Sequence, residues 1–260
     1  MTLNEHTERF DTTNYHLNPE SRHGCYLIHG FTSSTYEVRD LAHYLADHGY
    51  RVVADNLPGH GTTAEDCNRV KYADWLSHVE QGVAEMLPDC DTLFVAGGSM
   101  GSILTLHLAT LFPLTGIVLG APLLEFNHPF KTRFINPIAS YFLPLMSKRQ
   151  FYMKSVRQTY KYYGYHQYPM KALNQLYKMA QHIRKHLKNV TVPALIQYAK
   201  NDVTVPVQNA QLVRDSISSH IIQMTPYEKT THNIWDHPAE KKIVFAEILK
   251  FMTDIREGLK

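Results

Sequence analysis

The 260-residue sequence predicts an α/β architecture: a mostly parallel, doubly wound sheet with an inserted helical cap. Three observations lead there. Short apolar runs alternate with helical patterns through the first half of the chain, which is the rhythm of β-α-β units. The rhythm stops between Pro122 and Pro193, where tyrosines, phenylalanines, prolines and lysines fall on helical spacings without a strand pattern. It then resumes and closes on a long amphipathic segment.

Taken in order, Cys25-Tyr26-Leu27-Ile28, Arg51-Val52-Val53-Ala54, Leu93-Phe94-Val95-Ala96 and Ile117-Val118-Leu119 read as buried strands. Val38 to His48 carries Leu41, Tyr44 and Leu45 on one helical face and ends at Gly49. Tyr72 to Met86 repeats the pattern with Trp75, Val79, Val83 and Met86, and Pro88 ends it. After the interruption, Ala194 to Tyr198 and Ile221 to Met224 are strands. Ala239 to Arg256 is a helix whose expected buried face is Ile243, Phe245, Ile248, Leu249 and Met252. The expected division is a sheet domain of residues 1–122 and 191–260 with a cap at 123–190. A chain of this length can bury a full core.

Charge is unevenly placed. Residues 123–190 hold twelve Lys/Arg against the single acid Glu125, so the cap is strongly basic and the remainder acidic although the net charge is +2. No run approaches the roughly 18 apolar residues of a membrane span. The polar stretch from Met1 to Asn18, with Glu5, Glu8 and Asp11, lacks the basic start and apolar block of a secretory signal. Cys25, Cys67 and Cys90 are odd in number and show no metal-ligand spacing, and Cys25 sits in a strand pattern as a small core residue. A reduced, cytoplasmic protein is the expectation.

The chemistry centres on Gly97-Gly98-Ser99-Met100-Gly101, between a strand pattern and a helical one. A strand, a glycine-flanked serine and a helix make a nucleophile elbow, in which small neighbours let the serine adopt a strained backbone with its hydroxyl lifted clear of the sheet. Serine is a weak nucleophile at neutral pH and needs an adjacent base oriented by a third group. His232 lies in a loop between the last strand and last helix, where a base can reach the elbow. His237 is the weaker candidate, expected in the first turn of the closing helix. Asp202, just after a buried strand, is the candidate acid. Its rival Asp236 suits a helix N-terminal cap better. Developing negative charge on a carbonyl oxygen needs fixed donors. The backbone N–H groups of Met100 and Phe31 are the candidates, the latter in the loop His29-Gly30-Phe31-Thr32. His29 and His60 are read as structural. Nothing resembles a G-x-G-x-x-G nucleotide loop or a Walker loop.

These residues, together with Leu57-Pro58-Gly59-His60-Gly61-Thr62 and Asp74-Trp75, resemble the α/β-hydrolases of the small bacterial carboxylesterase and monoacylglycerol lipase group. The resemblance runs in order over nearly the whole sheet domain and covers the cap only in position and length. It implies hydrolysis of short- to medium-chain carboxylic esters or monoacylglycerols without a cofactor or metal. In that scheme Ser99 is the nucleophile, His232 the base and Asp202 the orienting acid, with Phe31 and Met100 as oxyanion donors. The chain departs from the group at Ser102, where a second glycine is usual, and at Thr231, where glycine usually precedes the histidine.

The cap holds thirteen Phe/Tyr residues, among them Tyr160, Tyr162, Tyr163, Tyr165 and Tyr168. Phe126, Phe130, Phe142 and Met146 are candidates for lining an acyl pocket. The cap's charge is either a solvated surface or an attraction for anionic esters or an anionic lipid surface; nucleic acid is the poorest fit for a unit that covers a site. A thioesterase or acyltransferase would use the same machinery. A non-catalytic binding protein of this fold is the reading from another class. Dehalogenation wants a carboxylate where Ser99 stands.

Overall fold

A computed structural model describes residues 12–148 and 164–258. The expected features at Met1 to Asp11, Arg149, Lys154, Arg157, Lys161, Tyr160, Tyr162 and Tyr163 lie outside the described residues.

Among the described residues a seven-stranded sheet forms the centre. Its strands are β1 (Tyr15–Leu17), β2 (His23–Ile28), β3 (Arg51–Ala54), β4 (Thr92–Gly98), β5 (Gly116–Gly120), β8 (Ala194–Ala199) and β9 (Ile222–Tyr227); β6 (Leu145–Ser147) and β7 (Gln167–Pro169) pair apart from it. The seven lie in the order β1-β3-β2-β4-β5-β8-β9, and only β1 runs antiparallel to its neighbour. The inner strands are apolar at nearly every position because both sheet faces are covered, as crossover helices require. Alternate residues divide between the faces. Tyr26, Ile28, Val95, Ile117, Leu119 and Ile196 pack on one side, while Cys25, Leu27, Phe94, Ala96, Val118 and Leu195 pack on the other.

The second of these faces is covered by α1 (Arg39–Asp47) and, at the end of the chain, α8 (Lys241–Arg256). After β3 comes a single helical turn, α2 (Ala64–Cys67), capped by the Thr63 hydroxyl, which accepts the Asp66 N–H at 3.1 Å. The first face is covered by α3 (Tyr72–Met86), α4 (Met100–Ala109), α6 (Met170–Arg184) and α7 (Gln208–Ser216). The expected helix at Tyr72 to Met86 is observed with Trp75, Val79, Val83 and Met86 all buried. The closing helix differs. It starts at Lys241, not Ala239, and buries Val244, Phe245, Ile248, Phe251 and Met252. Ile243 is 64% exposed, because that stripe turns Val244 inward instead. His237 therefore precedes the helix, where its Nδ1 accepts the Ala239 N–H at 3.3 Å.

Between β5 and β8 the chain makes a wide helical turn at Lys131–Ile135, then α5 (Asn136–Phe142), β6, β7 and α6. The antiparallel β6–β7 pair is absent from the expectation; two three-residue strands leave too few positions for an alternation to show. Asn136 ties α5 to α6, donating to Met170 O at 2.9 Å and Asn174 Oδ1 at 2.6 Å. Of these elements, α6 buries Ala172, Leu176, Met179, Ala180 and Ile183 in the same core as α3 and α4.

Register decides where the chemistry can sit. Ile28 pairs with Gly97, Gly98 with Gly120, and Gly120 with Gln197, so β2, β4, β5 and β8 end together at one carboxyl edge. The loops holding Phe31, Ser99, Asp202 and His232 all leave from that edge, where open α/β sheets place ligands.

Candidate active site

Ser99 occupies the step from β4 to α4 with φ 52° and ψ −113°, a left-handed backbone that a non-glycine residue adopts only under constraint. The constraint is visible on both sides. A Cβ on Gly97 would stand 2.1 Å from Gly101 O, and one on Gly101 would stand 2.2 Å from Ile28 O, so strand and helix touch backbone to backbone. Ser99 N–H donates to Gly120 O at 2.8 Å, fixing the turn to the neighbouring strand. The departure at Ser102 is absorbed by bonding. Its buried hydroxyl donates to Ser99 O at 2.5 Å and accepts the Leu123 N–H at 3.2 Å.

His232 Nε2 lies 2.9 Å from Ser99 Oγ, and its Nδ1 lies 2.7 Å from Asp202 Oδ2. Asp202 is almost fully enclosed, and its Oδ1 accepts the N–H groups of Thr204 at 2.8 Å and Val205 at 3.1 Å. Burial alone would raise its pKa. The hydrogen bond and charge of His232, joined by those two N–H groups, outweigh it and hold the carboxyl below its ordinary value. The histidine loop is braced by Glu240, whose Oε2 accepts the N–H groups of Lys229 at 3.0 Å and Thr230 at 2.7 Å.

Asp236 takes neither the position facing His232, which Asp202 fills, nor the expected helix cap. Its Oδ1 faces Arg39 at 3.5 Å, while the residue preceding α8 is Glu240.

The loop after β2 is held on both sides of Gly30. Gly30 N–H donates to Glu37 Oε2 at 2.8 Å. Gly30 O accepts from His29 Nδ1 at 2.9 Å and from Ser33 N–H at 3.3 Å, which fixes the plane of the Gly30–Phe31 peptide and hence the direction of the Phe31 N–H. His29 is wholly buried, and its Nε2 accepts the Leu57 N–H at 3.1 Å. Burial pulls its pKa down to about 4, so the neutral tautomer is the structural one. His60 is packed against His29, Phe31, Trp75 and Tyr165 rather than set up as a ligand. Trp75 Nε1–H reaches Pro58 O at 3.0 Å, tying the Asp74-Trp75 pair to the Leu57–Gly61 turn.

Below the serine is a small cavity lined by Glu37, Gly98, Ser99, Gly120, His232, Asn233, Ile234 and Trp235. Trp235 packs closely against Gly120, and its Nε1–H donates to Gln197 Oε1 at 3.1 Å. Gln197 Nε2 in turn donates to Glu247 Oε2 at 2.8 Å. Glu37, Trp235, Gln197 and Glu240 are thus supporting residues that no sequence signal singles out. Glu37, Trp235 and Glu240 follow the loops they support by a few residues without belonging to a motif, and Gln197 reaches Trp235 from another strand.

The four candidate pocket residues fall in two places. Phe126 is half-buried against the core and lies 5.7 Å, centroid to centroid, from Tyr177. Phe130, Phe142 and Met146 are 67%, 82% and 49% exposed, in the stretch between β5 and β7. Among the described residues there is no cluster of His, Cys, Asp and Glu able to hold a metal ion, and no helix long and apolar enough to cross a membrane. Cys25, Cys67 and Cys90 are free thiols.

Comparison with known proteins follows the same lines. Residues 19–239 match the family described as serine aminopeptidase, S33. The chain is 33% identical over 202 residues to a thermostable monoacylglycerol lipase from Bacillus sp. (strain H-257), covering 75% of this chain and 77% of that one. It is 24% identical to a carboxylesterase of Bacillus subtilis (strain 168), over 87% and 90% of the two chains. Among solved structures, one from work on the metagenome-derived lipolytic enzymes LipS and LipT superposes with a TM-score of 0.83 at 26% identity, covering 94% and 98% of the two chains. A soluble variant of monoglyceride lipase from Saccharomyces cerevisiae gives a TM-score of 0.77 at 16% identity, over 95% and 94%, a likeness of fold. A parallel sheet wrapped by helices, a serine at the strand–helix elbow and a family match across most of the sequence lead to one conclusion: the chain belongs to the serine aminopeptidase S33 family of α/β-hydrolases.

Proposed function

We propose that the protein is a serine carboxylesterase that hydrolyses short- to medium-chain carboxylic esters or monoacylglycerols through an acyl-enzyme. The observation that carries the reading is the unbroken line from Ser99 Oγ through His232 to Asp202, at 2.9 Å and 2.7 Å. His232 Nε2 takes the hydroxyl proton as Ser99 attacks the ester carbonyl. Asp202 keeps the other imidazole proton on Nδ1 and stabilises the imidazolium. The carbonyl oxygen, now negative, is met by the N–H groups of Phe31 and Met100, the latter at the start of α4 where the helix dipole adds to it. Collapse of the intermediate expels the alcohol, which takes the proton from His232. A water molecule, deprotonated by His232, then attacks the acyl-enzyme, and the acid leaves as Ser99 recovers its proton. No cofactor enters this sequence of steps.

The acyl chain is assigned to the side of the inserted segment, with Phe126 at its root and Phe130, Phe142 and Met146 as its outer apolar rim. The free thiols support a reducing, cytoplasmic setting. The test is a panel of esters graded by acyl length, run on the wild type and Ser99→Ala. Hydrolysis lost in the variant is expected; undiminished hydrolysis would overturn the reading. A thioester arm in the same panel separates esterase from thioesterase, and an added alcohol acceptor reveals acyl transfer.

One observation favours a lipid-surface role for the cap. Phe130, Phe134, Ile138, Tyr141, Phe142 and Leu143 are exposed in one short stretch that also carries Lys131 and Arg133. On this reading added salt slows turnover of substrate in anionic vesicles and spares a neutral soluble ester. Equal salt responses would contradict it.

A further inference from the structure

Thr32 follows the oxyanion candidate Phe31 directly and has φ 63°, a left-handed conformation that is costly for a β-branched side chain. Two bonds from the inserted segment meet on this one residue. Lys148 Nζ donates to Thr32 Oγ1 at 2.5 Å, and Tyr165 N–H donates to Thr32 O at 2.8 Å. Lys148 follows β6 and is only 5% exposed, an unusual place for a lysine. Burial pulls its pKa down to about 7, against the opposing pull of Cys67 and Glu37, and its ammonium also lies 4.7 Å from the centre of the Tyr168 ring. Tyr165 is itself anchored to the core, its hydroxyl donating to Gly59 O at 2.7 Å and accepting the Thr62 N–H at 3.1 Å. On the other side Glu37 holds Gly30 N–H at 2.8 Å. The Phe31 peptide therefore sits between a carboxylate of the core and a lysine of the insertion.

We propose that Lys148 is a positioning residue for hydrolysis: by bonding Thr32 it holds that residue in its left-handed conformation and so keeps the Phe31 N–H aimed at the oxyanion. The inference rests on the serine-esterase reading above. It makes the oxyanion hole dependent on the insertion, since without the Lys148 bond Thr32 relaxes toward a negative φ and carries the Phe31 peptide with it. Loss of one oxyanion donor costs about 10²–10³ in kcat, which bounds the effect.

The experiment compares Lys148→Met, Thr32→Val, Thr32→Gly/Lys148→Met and Ser99→Ala on a soluble short-chain ester, measuring kcat and KM separately. Lys148→Met is expected to lower kcat at least tenfold while KM stays within about threefold, because a misaimed donor weakens the transition state more than the bound ester. Thr32→Val, which lacks the accepting hydroxyl, is expected to reproduce that loss, and it decides the question if Lys148→Met does not fold. Glycine adopts the left-handed conformation without help, so Thr32→Gly is expected to restore kcat in the Lys148→Met background to within about threefold of wild type. A merely structural lysine would not be rescued this way. The proposal is overturned if kcat is unchanged in Lys148→Met or Thr32→Val, or if glycine at position 32 fails to restore it. An active Ser99→Ala enzyme would overturn the serine reading and the proposal with it, whereas an inactive Ser99→Ala beside a fully active Lys148→Met overturns the proposal alone.

Discussion

Asp202→Asn isolates the role of the carboxylate from its shape. The two oxygens of Asp202 have different partners: Oδ1 accepts the Thr204 and Val205 N–H groups at 2.8 and 3.1 Å, and Oδ2 faces His232 Nδ1 at 2.7 Å. In the asparagine variant the amide oxygen must stay with the two backbone donors, because turning it away would leave both unpaired at about 1–3 kcal/mol each. The amide NH₂ is then forced toward His232. Nδ1 must accept instead of donate, its proton moves to Nε2, and the nitrogen facing Ser99 Oγ can no longer take a proton. The same exchange in a serine protease lowers kcat about 10⁴-fold, which at 1.36 kcal/mol per decade is about 5 kcal/mol of transition-state stabilisation. Initial rates on a soluble aryl ester, with thermal unfolding to confirm the fold, provide the assay. A folded variant that loses less than tenfold in kcat would refute the tautomer argument and remove Asp202 from its assigned role.

Two further outcomes follow from the packing and the buried histidines. Gly101→Ala drives a Cβ to 2.2 Å from Ile28 O and is expected to destabilise the protein by about 1–3 kcal/mol and cut activity, whereas Gly98→Ala meets only side chains, the nearest being Trp235 at 3.7 Å, and should fold normally. Equal unfolding midpoints for the two would contradict the close approach of α4 to β2. His29 and His60 stay neutral in the fold down to pH values of about 4 and 3, while the unfolded chain protonates both below about 6.5. The unfolded state then binds more protons, so stability falls with acidification from pH 6.5, by up to about 4 kcal/mol at pH 5 for two groups. Denaturant unfolding at pH 7 and pH 5 measures it, and an unchanged midpoint would contradict the neutral assignment.

Much of the fold is legible in the sequence because its signals are dense and local. Strands buried on both faces, such as Leu93 to Ala96, have no polar residues to blur them, and α3 carries its whole buried stripe at helical spacing. The glycines at 97 and 101 announce a contact that is indeed backbone on backbone. Other elements are hidden for definite reasons. The edge strand β1 has three residues in a polar stretch, and its mark is the pairing with Val52 to Ala54, which only the folded chain contains. The expected stripe of α8 is one residue off at Ile243, since Ile243 and Val244 are equally apolar and only the contact with the sheet chooses between them. Ser99, His232 and Asp202 stand out by their loop positions, and the fold brings them within hydrogen-bond distance. Their supports do not. Lys148 and Gln197 act across the fold from distant segments, while Glu37 and Trp235 lie a few residues from Gly30 and His232 in stretches with no motif to mark them.

If Ser99 is an activated nucleophile, a fluorophosphonate probe will phosphonylate it. Its phosphorus is attacked by a serine whose proton is being withdrawn, and the adduct is stable enough to locate by peptide mass. One adduct per chain is expected, on the peptide carrying Ser99, formed far more slowly in His232→Ala. Intact, folded protein that remains unlabelled at Ser99, or labels there equally fast without His232, would contradict it.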